Sequence, residues 1–199
     1  IGKTQQNTKV FIDSVEVPVD SQGNFLIGFS RKNKKNPELE LLLKSGKRIY
    51  KILNIESRDY VIQKINNLEK KKVVPPEEFY ERIKNEQKLV QTAKKIEVDL
   101  PLYKSGFMWP TSGIITGVYG SQRVLNNIPR RPHYGIDIAN KLGTPVLAPA
   151  DGNIVLINKD LYFAGGTIII SHGQGLSSSL LHLSDIYVKE GQSVKKGEK

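Results

Sequence analysis

Short runs of β-branched and aromatic residues, cut at intervals of about ten residues by Gly, Pro, Asn, Asp and Ser clusters, constrain this chain most. In the first third, 8–12, 14–19, 25–29, 38–43, 48–55 and 60–65 read as strands, separated by Asp20-Ser21-Gln22-Gly23-Asn24, a basic loop over 31–37 and Ser45-Gly46. That spacing predicts a small antiparallel β-sandwich over 1–66. No ionisable cluster in it supports chemistry, so its expected role is spacing, packing or partner binding.

Residues 66–74 are lysine-rich and polar and read as a linker. Pro75-Pro76 and two glutamates then suit the first turn of a helix. Phe79, Ile83, Val90, Ala93 and Ile96 recur near helical spacing, which predicts a helix over 77–96. It either packs on its own protein or covers a neighbouring groove. Asp99-Leu100-Pro101-Leu102 ends it, so 67–104 is expected to be linker and helix. Residues 105–199 form a second β domain, opened by Gly106-Phe107-Met108-Trp109-Pro110. A polar loop is expected over 121–131.

The chemistry-bearing stretch is His133-Tyr134-Gly135-Ile136-Asp137. On a flat strand the histidine and aspartate share a face but stand roughly 13 Å apart. Jointly holding a small cation therefore requires a bend, which Gly135 permits. A helix would also bring them together, but Gly-Ile-Asp-Ile is poor helix sequence. Taken alone, the pair also reads as a locally bonded histidine and a turn-capping aspartate.

The surroundings decide between these readings. Gly135-Ile136-Asp137-Ile138-Ala139 leads to Gly143-Thr144-Pro145-Val146-Leu147-Ala148-Pro149-Ala150-Asp151-Gly152. A strand follows, then Gly165-Gly166-Thr167, a strand ending at His172-Gly173, and Leu180-Leu181-His182-Leu183. In this order the stretch from Trp109 onward resembles the M23 zinc metallopeptidases, the LytM/lysostaphin type of peptidoglycan endopeptidase. The N-terminal segment resembles the Ig-like module that precedes some of them. The resemblance implies a mainly β protein: an N-terminal antiparallel sandwich, a connecting helix and a LytM-type antiparallel domain.

The same resemblance implies zinc as cofactor, with His133 and Asp137 as ligands and His182 as a catalytic, non-ligand histidine. It puts Arg123 near the substrate groove and leaves His172 outside the site. A zinc ion with an open position acidifies water and polarises a carbonyl, which is what peptide hydrolysis at neutral pH requires. The family's third ligand and second catalytic histidine lie in an H-x-H strand, and this sequence has three histidines and no H-x-H. The expectation is therefore a part of a longer enzyme that binds zinc poorly and hydrolyses nothing alone. The competing expectation is a catalytically dead relative that regulates a wall hydrolase.

Composition narrows the partners. The chain has no cysteine, which excludes disulfides and thiolate metal sites. A net charge of +10 favours polyanionic surroundings. No aromatic-interleaved basic stripe, zinc finger or helix-turn-helix pattern supports nucleic-acid recognition. Expected partners are peptidoglycan peptides and, with them, cell-wall hydrolases or other envelope proteins, in a periplasmic or other extracytoplasmic setting. A biotinyl or lipoyl carrier is disfavoured because the sole methionine, Met108, flanks no lysine hairpin.

Overall fold

The structure, a computed structural model, describes residues 1–33, 35–69, 73–98 and 100–199. Lys34 of the basic loop, Lys70 to Lys72 of the linker and Asp99 at the helix break lie outside the described residues. The protein is mainly β and divides into two compact units, Ile1–Asp59 and Tyr60–Lys199.

The first unit holds β1 (Gly2–Lys3), β2 (Lys9–Ile12), β3 (Val15–Val17), β4 (Asn24–Phe25), β5 (Glu38–Leu42) and β6 (Arg48–Ile52). The β3-β2-β5-β6 strands make one antiparallel sheet, and β1 pairs with β4 as a two-stranded ribbon. Gly2 stands opposite Phe25, and a Cβ there would fall within 2.1 Å of the ring. The bare backbone thus lets Phe25 lie flat and buried. The Asp20 carboxylate takes the backbone N–H groups of Gln22 and Asn24, which closes the predicted turn.

The second unit contains β7 (Ile62–Ile65), α1 (Tyr80–Ala93), β8 (Ile114–Gly117), β9 (Gln122–Leu125), β10 (Ile128–Pro129), β11 (Asp137–Ala139), β12 (Gly152–Leu161), β13 (Gly165–Gly173), β14 (Leu176–Leu183) and β15 (Ser193–Val194). Its main sheet runs β14-β13-β12-β15, all antiparallel. The central strand β13 is buried on both faces, which is why Thr167-Ile168-Ile169-Ile170 reads as a continuous run rather than an alternation. Ile168 and Ile170 face a core with Ile154, Ala148 and Val194. Ile169 faces the other way, onto Leu156 and Ala93.

Ile154 and Leu156 are two apart in β12 yet belong to opposite faces. The register explains this: Ile154 pairs with Ile170 and Leu156 with Ile169, so a bulge at Val155 turns the strand over. Leu156 thereby meets α1. A short 3-10 turn, Glu77–Phe79, precedes that helix. Phe79 stacks on Tyr162 at 4.9 Å, Ile83 is buried, Glu86 accepts the Tyr162 backbone N–H, and Val90 and Ala93 pack on the sheet. The apolar stripe is thus used as predicted, except for Ile96, which is exposed beyond the helix end. Of the two roles expected for the helix, its packed face serves the sheet of its own unit.

Two sequence expectations change. The strand at 62–65 does not join the first group but pairs in parallel with β9 in the second unit. The stretch 121–131 is not a loop but carries the β9-β10 hairpin, turned by Asn126 and Asn127 at φ 48° and 62°. Asparagine tolerates the left-handed region that two-residue hairpin turns demand, and Val124-Leu125 and Ile128 supply the flanking strands. Among the described residues no helix is long and apolar enough to cross a membrane.

Ile169→Ala is expected to cost about 2–5 kcal/mol in urea unfolding of the second unit, because a large side chain at 1% exposure leaves a cavity under the helix. Ile52→Ala, on the exposed edge strand β6, should shift stability by less than about 0.5 kcal/mol.

Candidate metal centre

The site is built on the antiparallel pair β8-β11. Asp137 stands directly across from Gly117, and a Cβ on Gly117 would lie 2.3 Å from the Asp137 Oδ2. The missing side chain is the space the carboxylate occupies. A register shift between Asp137 and Ile138 turns the strand at this point.

The chain bends before β11, as the sequence requires, and brings His133 Nε2 to 3.1 Å from Asp137 Oδ1. Gly135 is not in the left-handed region, so the bend does not rest on glycine's special backbone freedom. What fixes His133 is the turn that follows β8. Gly120, at φ 85°, closes Val118-Tyr119-Gly120-Ser121, and the Ser121 hydroxyl and backbone N–H both reach the Val118 carbonyl. Gly120 donates its N–H to the His133 carbonyl at 2.7 Å, and His133 donates to the Ser121 carbonyl at 2.8 Å.

The His133 ring joins the same anchor, since its Nδ1 lies 3.3 Å from the Val118 carbonyl oxygen. A carbonyl only accepts, so Nδ1 carries the hydrogen. That leaves Nε2 facing a carboxylate oxygen. An imidazole nitrogen and a carboxylate oxygen rest 3.1 Å apart only with a proton or a cation to share. Two ligand atoms each 2.0–2.1 Å from a tetrahedral zinc ion stand roughly 3.3–3.4 Å apart, so the donor pair fits that ion. Backbone anchoring of the second ring nitrogen is also the usual support for a metal-binding histidine.

Arg123, on β9, places a guanidinium nitrogen 3.8 Å from Asp137 Oδ2. It forms a loose, solvent-open ion pair on the Oδ2 side, while Oδ1 is turned to His133. All three side chains are open to solvent, with Asp137 43% exposed, so a ligand can reach them. Tyr119 lies between Tyr60 at 6.4 Å and Tyr134 at 6.2 Å, an aromatic row beside the histidine.

Among the described residues His182 makes no hydrogen bond or ion pair with His133 or Asp137. It is exposed near the end of β14, at φ 60°, with its backbone N–H on the Ala164 carbonyl. Among the described residues no set of three or more His, Cys, Asp or Glu side chains is arranged to hold a metal ion. His172 lies apart from the pair and is fully buried. Its Nδ1 meets the Asp151 carbonyl at 2.7 Å, its Nε2 the Ser178 hydroxyl at 2.8 Å, and its ring packs edge-on against Phe107. Burial lowers its pKa below the ordinary histidine value of 6.5, with the Asp151 bond partly opposing.

Sequence reasoning missed Gly117 and the Val118 carbonyl. The first had a signal: a glycine inside a β-branched run marks a close approach. The second, a backbone atom, had none.

Comparisons place these residues among known proteins. The model of Peptidase family M23 matches residues 131–199. A Haemophilus influenzae protein named an uncharacterized metalloprotease is 44% identical over 69 residues, 35% of this chain and 14% of its own length. The peptidoglycan DD-endopeptidase ShyB of Vibrio cholerae is 41% identical over 68 residues, 34% of this chain and 16% of its own. The murein hydrolase activator NlpD of Escherichia coli is 35% identical over 95 residues, 48% of this chain and 23% of its own. The matches thus span under a quarter of these relatives. A crystal structure from Pseudomonas aeruginosa, described as a peptidase M23, superposes with a TM-score of 0.71 at 26% identity, covering 96% of this chain and 73% of that one.

Gly117→Ala should turn the Asp137 carboxylate away, because the added Cβ would lie 2.3 Å from its Oδ2 and 2.9 Å from its Cγ, with circular dichroism checking that the fold is kept. A zinc concentration that moves the His133 ring NMR signal in the parent should then move it several-fold less. His172 sets an acid limit. Its pKa is lower folded than unfolded, so its contribution is complete above about pH 6.5 and is lost as pH falls below that. Urea midpoints should therefore decline from pH 7 to pH 5, and His172→Gln should start lower but decline less.

Proposed function

We propose, from the premise that residues 131–199 carry a Peptidase family M23 segment, that this protein is a zinc-dependent endopeptidase acting on the peptide cross-links of bacterial peptidoglycan. The observation that carries this reading is the 3.1 Å approach of His133 Nε2 to Asp137 Oδ1, with Nδ1 committed to a backbone carbonyl. These two atoms would hold the ion. When bound, zinc supplies an acidified water and a Lewis acid for the scissile carbonyl.

The chain's own groups have separate tasks. Arg123 pairs loosely with the Asp137 carboxylate and, being half exposed, offers its outer donors to the substrate. His182 is assigned the steadying of the attacking water, and the Val118–Ser121 turn keeps His133 in the ligating tautomer. The described residues bring only two ligand atoms together, so the 199 residues by themselves are expected to bind zinc weakly and hydrolyse nothing. The +10 charge supports residence near an anionic wall in an extracytoplasmic setting, an attraction that salt screens.

A second reading has its own support. One relative is named a murein hydrolase activator, and no described group of three ligands is present. In that reading the chain binds a wall hydrolase and raises its rate.

Zinc titration followed by calorimetry separates the assignments. Weak binding is expected in the parent chain, none in His133→Ala or Asp137→Ala, and unchanged binding in His182→Ala. Tight stoichiometric binding, or equal loss in all three variants, would contradict the ligand set. If the chain instead accelerates a purified wall hydrolase, and His133→Ala does so equally well, the activator reading replaces the peptidase one.

A further inference from the structure

A second feature of the same unit lies outside the candidate metal centre. An open cleft of about 680 Å³ is bounded by α1 through Tyr80, Lys84 and Gln87, by Arg130 and Arg131 after the β9-β10 hairpin, and by Phe163 at the β12-β13 turn. This is within the size range of about 300–1,000 Å³ usual for ligand sites. Its lining holds three cationic side chains and no carboxylate. Among the described residues neither Arg130 nor Arg131 is ion-paired, and Lys84 has only a 3.8 Å pairing with the highly exposed Glu81. Glu86 and Asp160 nearby are turned to Arg82 and the Tyr162 backbone, while Glu77 and Glu78, exposed between Pro75 and Tyr80, do not line the cleft.

Its position ties the cleft to the chemistry. Arg131 is two residues before His133, and the Arg130 backbone N–H is held by the Arg123 carbonyl. On the other wall Phe163 precedes Ala164, whose carbonyl holds the His182 backbone. The cleft thus borders the segment that leads into His133 and the turn that bonds the His182 backbone, with the helix as a third side.

We infer that this cleft is a subsite for an acidic stretch of the peptide substrate, in which Arg130, Arg131 and Lys84 meet free carboxylates and Tyr80 and Phe163 flank the peptide chain. The inference rests on the peptidase reading and adds a selectivity to it: peptides with free carboxylates are preferred over the same peptides with amidated ones. Guanidinium groups suit the task because two parallel N–H donors match a carboxylate.

The test is calorimetry of the 199-residue chain with a tetrapeptide bearing a glutamate and a free C-terminus, against its glutamine, C-amidated counterpart. The acidic peptide should bind about tenfold more tightly, as expected for one good charge-assisted contact. The advantage should vanish in the Arg130→Gln, Arg131→Gln double variant and shrink as salt is raised. It should also fall in Lys84→Gln, a change at a mostly exposed side chain that should leave the fold unchanged by circular dichroism. Equal affinity for both peptides, parent-like binding by the double variant, or equal displacement by inorganic tripolyphosphate would overturn the proposal. Binding is read without hydrolysis, so a failed peptidase reading leaves these affinities in place. A failed cleft would instead leave the zinc titration of His133 and Asp137 as described.

Discussion

The Val118 carbonyl is the fixed point on which the candidate centre depends. One oxygen receives the Ser121 hydroxyl, the Ser121 backbone N–H and the His133 ring. Without it the histidine would be free to rotate and to exchange tautomers, and its closeness to Asp137 would be one rotamer among several. With it, Nε2 is held toward the carboxylate before any ion arrives. Preorganisation of this kind is what lets two ligands on a bent ribbon act together.

The same economy of space appears on the opposite strand. Gly117 leaves a gap that Asp137 fills, and Arg123 reaches across from β9 toward the outer oxygen. Three short strands, none of more than four residues, thus position an imidazole, a carboxylate and a guanidinium. The long sheet of the same unit is the rigid part, since β13 is buried on both faces and α1 covers one of them. His172 belongs to that scaffold: both ring nitrogens are used internally, and its burial favours the neutral form.

Much of this was legible in the sequence for identifiable reasons. The apolar stripe of α1 follows helical spacing, and the main sheet announces itself by β-branched runs between glycine turns. The His133–Asp137 pair was legible from its spacing and from the order of motifs after it, although the bend that joins the two rests on the Val118–Ser121 turn rather than on Gly135. The β9-β10 hairpin was not read, because its polar residues concealed an Asn126-Asn127 turn flanked by only two or three apolar residues. The placement of 62–65 could not be read locally, since a four-residue strand matches either sheet and only the distant Gln122–Leu125 settles it. The bulge at Val155 is likewise a tertiary effect, invisible in a run of Ile-Val-Leu-Ile.

The account stands or falls on a divalent ion being shared by one imidazole nitrogen and one carboxylate oxygen. Anomalous X-ray scattering at the zinc edge, on crystals of the protein soaked in zinc, reads this directly. The account predicts a peak about 2.0–2.1 Å from both His133 Nε2 and Asp137 Oδ1, with Nδ1 still on the Val118 carbonyl. A peak at another histidine, or a metal-free site in which Nε2 donates its own proton to Asp137 at saturating zinc, would contradict it.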